Sequence, residues 1–290
     1  MHSAGPPQTA LIVGIDGQIG AALAAHLQGL GWRVFGTTRR EPKEDTIIHL
    51  DLANVAACSL PPSVDAAFLC AAETKLAHCR AAPEETHTVN VDGPVALATR
   101  LVAGGTFVVF LSSNAVFDGT VGYHRAEEPT CPQTIYGQQK ARAEQRLLSI
   151  GNQVAILRLT KVLTPAMPLI TGWIDCLRRG EPIGPFSDFM IAPLSMAMVT
   201  DALARIAGGR YGGILQASGA KDVSYAEVAR HIARRLAVSD TLVRPTTSAE
   251  AGLPPCDVPA HTTLDTTRLK DLFDITPPDP WAVIDETFVL

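Results

Sequence analysis

Apolar runs that end in glycine set the rhythm of the first half of the chain. Ala10-Leu11-Ile12-Val13 stops at Gly14, and the apolar positions that follow, Ile19, Leu23, Leu27 and Leu30, recur at helical spacing. An unbroken apolar run reads as a strand covered on both faces, and the glycine at its end as a tight turn into a helix. Further strand candidates lie at residues 33–37, 46–50, 66–70, 107–111 and 154–159, with helical stretches between several of them. The alternation predicts an α/β fold, a doubly wound parallel sheet with helices on both faces. The clearest helices are predicted at 83–102 and 135–148.

Beyond residue 164 the rhythm changes, because Pro165, Pro168, Pro182, Pro185 and Pro193 cut the chain into short pieces. Residues 1–164 are therefore expected to form the nucleotide-binding (Rossmann) domain and residues 165–290 mainly a smaller substrate-binding lobe. Residues 214–217 read as a late strand of the main sheet, so about 188–219 is expected to return to the first domain. The Pro-, Thr- and Ser-rich stretch 239–259 reads as a long loop, and no internal repeat is visible.

With 290 residues, 47% of them apolar and 18% charged, the chain has the makings of an ordinary globular enzyme. A formal net charge of -5 speaks against sequence-independent binding to nucleic acid or to an anionic membrane. The first ten residues lack the basic start and apolar run of a secretory signal, and no stretch is apolar for the length of a membrane span, so a cytoplasmic location is expected. The six cysteines show no C-x-x-C pair and read as reduced thiols, mostly in the core. No His pairing has ligand spacing, and no metal is assigned. Met190, Met196 and Met198 read as packing in the smaller lobe, and Asp118-Gly119 and His124 as turn and rim residues.

Gly14-x-x-Gly17-x-x-Gly20 falls where the first strand turns into the first helix. Bare backbone N–H groups and the helix N-terminus there suit a dinucleotide pyrophosphate, and the first-turn residues Gln18 and Ile19 are counted with the motif. The second strand ends in Thr37-Thr38-Arg39-Arg40, where an NAD-selective site would commonly carry an acid for the ribose. Thr38, Arg39 and Arg40 favour a 2′-phosphate instead, and NADP(H) is the expected cofactor. Asp51-Leu52 either hydrogen-bonds the adenine through Asp51 or caps the following segment. Ala71-Ala72 offers small side chains to line the cofactor.

Tyr136 and Lys140 lie four apart on the predicted helix and so share one face. A nearby ammonium favours the phenolate and is expected to lower the tyrosine pKa, making Tyr136 a proton donor and acceptor. Ser113 follows the strand at 107–111, at the sheet edge where doubly wound folds bind ligands. The three side chains together suit hydride transfer between a nicotinamide and a carbonyl, with Ser113 orienting the oxygen.

In these residues the chain resembles the extended short-chain dehydrogenases/reductases, and within them the dTDP-4-dehydrorhamnose reductase family. The resemblance spans nearly the whole length. It rests on the glycine motif, Ser112-Ser113-Asn114-Ala115-Val116-Phe117-Asp118-Gly119, Tyr136-Gly137-x-x-Lys140 with Ala143-Glu144, Leu157-Arg158, and Leu264-Asp265-Thr266-Thr267-x-Leu269. It implies a reductase of a nucleotide-linked ketosugar, with Tyr136 and Lys140 also touching the cofactor. It further implies that Asn90 supports a bound water or the position of the lysine, although a polar residue inside a helix fits the sequence equally.

Two departures bear on the substrate. Lys161, in Leu157-Arg158-Leu159-Thr160-Lys161, stands where the family usually has an aromatic residue, and Glu73-Thr74-Lys75-Leu76-Ala77-His78 replaces its acidic loop. Glu73, Asn114 and Lys161 are the residues expected against the substrate, with Lys161 paired to an anionic group. Asn114-Ala115 replaces the Asp-Glu that follows the catalytic hydroxyl in dehydratases, which disfavours dehydration and leaves epimerisation open. A non-catalytic reading also stays open, since Cys70-Ala71-Ala72-Glu73 looks like the regulatory subunit of methionine adenosyltransferase. So does a symmetric homodimer.

Overall fold

The structure is a computed structural model that describes residues 8–61 and 63–289. Its first half alternates as the apolar pattern predicts: β1 (Thr9–Val13), α1 (Gln18–Gly29), β2 (Arg33–Thr38), β3 (Ile47–His49), β4 (Ala66–Leu69), α2 (Leu76–Ala81), α3 (Pro83–His87), α4 (Gly93–Ala103), β5 (Phe107–Ser113), α5 (Ile135–Leu148) and β6 (Val154–Leu159). The second half adds β7 (Lys161–Val162), α6 (Pro168–Arg178), β8 (Met190–Ile191), β9 (Pro193–Leu194), α7 (Met196–Gly209), β10 (Gly213–Ala217), β11 (Val223–Ser224), α8 (Tyr225–Arg235), α9 (Thr267–Phe273) and α10 (Pro280–Phe288).

Seven strands form one parallel sheet in the order β10-β6-β5-β4-β1-β2-β3. Along β1, Ala10 and Ile12 enter one apolar cluster while Leu11 and Val13 enter another on the opposite face. That division follows from the two-residue period of a strand, and it explains why the central strands carry no polar alternation. Leu23 and Leu27 of α1 and Leu203 of α7 cover the first face, and Leu97 of α4 and Leu147 of α5 cover the second. The chain runs outward from β1 through β2 to β3 and then crosses back to β4 on the other side of β1. Such a switch point opens a crevice at the carboxyl ends of the strands.

A third apolar cluster joins α6, α8 and α10 through Trp173, Tyr225, Ile232 and Ile284. Helix α8 begins with a capping box in which Ser224 and Glu227 satisfy each other's backbone. The stretch 239–259 contains two short turns, Asp240–Leu242 and Pro255–Asp257, and touches Ile183 and Phe186 through isolated bridges. Helix α9 leaves the smaller lobe, since Leu269 packs with the first face of the sheet.

Four expectations need correction. The single helix at 83–102 is broken by a wider π-turn, Thr88–Asp92, which ends just before Gly93-Pro94. Pro94 has no N–H for the carbonyl four residues back and crowds that turn, so the helix relaxes there. Ser113 is the last residue of β5 rather than a residue beyond it. Of the six cysteines Cys58 and Cys79 are buried, Cys70 and Cys176 half-buried, and Cys131 and Cys256 exposed. Met198 packs against the first face of the main sheet, and Met190 lines a cavity. No helix among the described residues is long and apolar enough to cross a membrane.

Candidate active site

Two cavities open along the carboxyl ends of the parallel strands. The first, of about 500 Å³, is lined by Gly14, Asp16, Gly17, Thr37 to Arg40, Leu50 to Leu52, and Cys70 to Ala72. Gly14 adopts φ +85°, and a Cβ there would lie 2.8 Å from the Ala71 Cβ, so only glycine lets the two strand ends close. A Cβ on Gly20 would meet the Gly14 carbonyl oxygen at 2.2 Å. The glycine pattern thus serves backbone approach: it draws the turn tightly onto the helix and leaves a bare surface above it. Gly17 is the N-cap of α1, and Gln18 and Ile19 open its first turn, where backbone N–H groups lack helical acceptors. Bare backbone, a helix N-terminus and two exposed arginines fit a dinucleotide with its pyrophosphate at the turn. Asp51 Oδ1 accepts from the Ala53 N–H at 2.9 Å, which makes it the cap of the following turn while it still lines the cavity.

The second cavity, of about 260 Å³, brings together Ser113, Asn114, Tyr136, Thr160 and Lys161 with Phe189, Met190 and Tyr225 of the smaller lobe. Helix α5 starts at a Thr134 cap, whose Oγ1 accepts from the Gly137 N–H at 3.0 Å. A Cβ at Gly137 would lie 2.0 Å from the Ala115 carbonyl, so this glycine is what lets Tyr136 approach the end of β5. Ser113 Oγ accepts from the Ala115 N–H at 3.1 Å, which orients the hydroxyl.

Lys140 is buried beneath these residues, 3% exposed, and donates through Nζ to the Leu111 carbonyl at 2.8 Å. Its ammonium sits 4.3 Å from the Phe110 ring centroid and 5.9 Å from that of Tyr136. Burial lowers the Lys140 pKa to about 8, opposed by the carboxylate of Glu144. Burial also raises the Tyr136 pKa, with the Ser113 hydrogen bond pulling it back. Desolvation thus opposes the expected lowering of the tyrosine pKa by the lysine, whose ammonium gives one of its N–H groups to Leu111. Cys70, within electrostatic reach of Lys140, stays a thiol because burial pushes it up to about 12. Lys161 lines the cavity while remaining exposed to solvent, and partial desolvation by the cavity wall lowers its pKa.

Two buried networks hold the cavities in place. Asn90, in the π-turn, accepts from the Glu73 N–H at 2.8 Å and donates to the Glu73 carbonyl at 2.9 Å and to Gln139 Oε1 at 2.8 Å. Gln139 donates in turn to the Pro83 carbonyl and to Thr86 Oγ1. Asn90 thus clamps the loop after β4 and holds Gln139, the residue next to Lys140. Glu73 turns its carboxylate to the Lys75 N–H and His78, and it lines neither cavity. The second network is a buried ion pair between Arg158 and Glu144, with Arg158 Nη2 to Glu144 Oε2 at 2.7 Å. Arg158 also donates to Gln216 Oε1 and stacks over Phe117, so it ties β6 to α5, to β10 and to the loop beyond β5.

Sequence reasoning missed Asp16, Gln139, Phe189 and Tyr225. Asp16 and Gln139 sit inside the two motifs, at positions the motifs leave variable, and the two aromatics reach the site only through the packing of the smaller lobe.

The geometry agrees with what known proteins share with this chain. The dTDP-4-dehydrorhamnose reductase of Streptomyces griseus is 28% identical, over 90% of this chain and 86% of its own length. Methionine adenosyltransferase 2 subunit beta of Xenopus tropicalis is 30% identical over 53% of this chain, and the chain spans about half the length of that relative, 47%. The fold matches the dTDP-4-dehydrorhamnose reductase of Bacillus anthracis, solved in complex with NADP, at a TM-score of 0.84, with 18% identity over 99% of both chains. Residues 8–287 match the family model described as the RmlD substrate binding domain, and the chain belongs to that family.

Proposed function

We propose that this protein is an NADP(H)-dependent reductase of a nucleotide-linked ketosugar, similar in chemistry to the 4-dehydrorhamnose reductases. The observation that carries the reading is the meeting of Ser113 and Tyr136 in one cavity above the buried Lys140, beside the glycine-turn cavity on the same sheet edge. The NADP bound to the Bacillus anthracis reductase supports the cofactor, as do Arg39 and Arg40 at the end of β2.

In this reading a bound dinucleotide supplies the hydride to the carbonyl carbon. Ser113 orients the carbonyl oxygen, and Tyr136 gives that oxygen its phenolic proton, so that the ketone becomes a secondary alcohol. Lys140, held through Leu111, provides the positive charge that favours the phenolate left behind. Thr38, Arg39 and Arg40 face the ribose end, and Ala71 and Ala72 let the cofactor lie close to β4. Asn114 and Lys161 are the substrate contacts, and the lysine pairs with an anionic group of the substrate. Epimerisation through the same three side chains is the alternative reaction; it returns the hydride to the sugar and consumes no NADPH on balance, so it is read as isomer formation by chromatography. The domain division follows the same logic, with residues 1–164 and about 188–219 carrying the cofactor and the remainder shaping the substrate cavity.

The test is NADPH oxidation across a panel of nucleotide-linked ketosugars. The expected result is turnover with at least one of them that falls about 10²–10⁴-fold in Tyr136→Phe while NADPH binding is unchanged. NADPH binding with neither NADPH oxidation nor isomer formation on any member would instead favour a catalytically silent subunit. That second reading has one observation behind it, the likeness to methionine adenosyltransferase 2 subunit beta.

A further inference from the structure

Within the glycine turn, the cofactor cavity carries an acid that the turn itself does not require. Asp16 is exposed and lines the same cavity as Thr38, Arg39 and Arg40. Its Oδ2 accepts from Thr38 Oγ1 at 2.5 Å, and Thr38 Oγ1 accepts from the Arg40 N–H at 3.0 Å. Thr38 is the last residue of β2 and is 7% exposed, so the hydroxyl that holds Asp16 is itself fixed by the sheet. Among the described residues no ion pair within 4.0 Å joins Asp16 to Arg39 or Arg40. The acid and the two guanidinium groups are therefore not paired with one another, although Asp16 Oδ2 is engaged by Thr38.

In doubly wound folds the adenosine ribose of a dinucleotide lies beside the end of the second strand. An acid there grips the ribose 2′-hydroxyl, and an arginine accommodates a 2′-phosphate. Here both kinds of group face one cavity, and they come from different segments. The arginines occupy the usual place after β2, while the acid is delivered by the glycine turn and anchored to the strand end by Thr38.

We propose that Asp16 is a specificity-determining residue: it accepts a hydrogen bond from the ribose 2′-hydroxyl and opposes a 2′-phosphate, limiting the preference for NADPH that Arg39 and Arg40 create. This rests on the cofactor reading above. A carboxylate close to a phosphate that carries nearly two charges weakens binding through like-charge repulsion, whereas with an unphosphorylated ribose the same oxygen gains a hydrogen bond. Discrimination at this site is a difference between opposing terms, and removing the acid releases the arginine term.

The experiment measures dissociation constants of NADPH, NADH, 2′,5′-ADP and AMP for the full chain and its variants. In Asp16→Asn the affinity ratio of NADPH to NADH, and of 2′,5′-ADP to AMP, rises about tenfold or more. In Arg39→Ala and Arg40→Ala the same ratios fall. Thr38→Val, which frees Asp16 from its anchor, moves the ratios in the direction of Asp16→Asn by a smaller factor. Thermal denaturation checks folding, and if Asp16→Asn does not fold, Asp16→Ser carries the same measurement. Ratios in the Asp16 variant within twofold of wild type, or an equal change for phosphorylated and unphosphorylated ligands, overturn the proposal and leave the cofactor reading standing. Wild-type protein that binds neither dinucleotide overturns both.

Discussion

The two cavities share one sheet edge yet are built on different principles. The cofactor cavity is made mostly of backbone: a glycine turn, three strand ends and the small side chains of Ala71 and Ala72. It tolerates little added volume, because a single Cβ at Gly14 or Gly20 meets its neighbours below 3 Å. The second cavity is made of side chains from β5, α5, the stretch after β6 and the segments around Phe189 and Tyr225, and it depends on how those pieces dock. Steric room governs the first, and long-range packing the second. The same chain therefore presents one surface shaped by backbone approach and another shaped by the docking of distant segments.

Removing the docking should break the catalytic cavity first. Arg158→Met leaves Glu144 as a lone buried charge, and breaking such a pair costs about 3–5 kcal/mol; the expected result is a lower melting temperature and lost turnover, read by calorimetry and assay. Were stability to stay within about 0.5 kcal/mol of wild type, the range usual for surface changes, the pair would be no anchor. Asn90→Leu strands the Glu73 backbone and Gln139 without their partner, at a cost of about 1–3 kcal/mol. Because Asn90 reaches both the loop after β4 and the neighbour of Lys140, this variant should weaken NADPH binding and lower kcat together. Loss of one alone would show that the clamp serves a single cavity.

Smaller effects test chemistry. Lys161→Met should raise KM about tenfold for substrates that carry an anionic group and leave neutral ones unchanged, since a tenfold change corresponds to about 1.4 kcal/mol of a lost charged contact. Equal Michaelis constants across both classes would remove the lysine from recognition. Lys140 has a pKa lowered to about 8, so it is charged below that pH and neutral above it. The rate should be about half-maximal near pH 8 and fall further as pH rises, and Lys140→Arg, which keeps its charge, should carry the fall to higher pH. A profile that is flat from pH 7 to 9 in wild type would separate the ammonium from the proton transfer.

The legible part of the site follows from range. Gly14, Gly17 and Gly20 declare a turn and a helix start within seven residues, and Tyr136 and Lys140 share a face because a helix turns every 3.6 residues. The strand bounds at residues 154–159 and the helix bounds at 135–148 coincide with the structure for the same reason. Asn90 was visible as a polar residue in a helix, but its role depends on Glu73, 17 residues earlier, and Gln139, 49 residues later. Glu73 was placed against the substrate because it follows the Ala-Ala pair, whereas the nearby Lys75 N–H and His78 capture its carboxylate. Local competition of this kind leaves no trace in spacing.

By itself the sequence determined the parallel sheet, the glycine turn and the shared helix face of Tyr136 and Lys140, since each is encoded by periodicity or by backbone preference over a few neighbouring residues. Only the tertiary structure decided that burial works against the lysine in setting the tyrosine proton. It also decided that Arg158 locks the two halves of the catalytic wall and that Asp16 faces the arginines across the cofactor cavity. Those outcomes depend on desolvation and on contacts between segments far apart in the chain, and both arise only when the chain is packed.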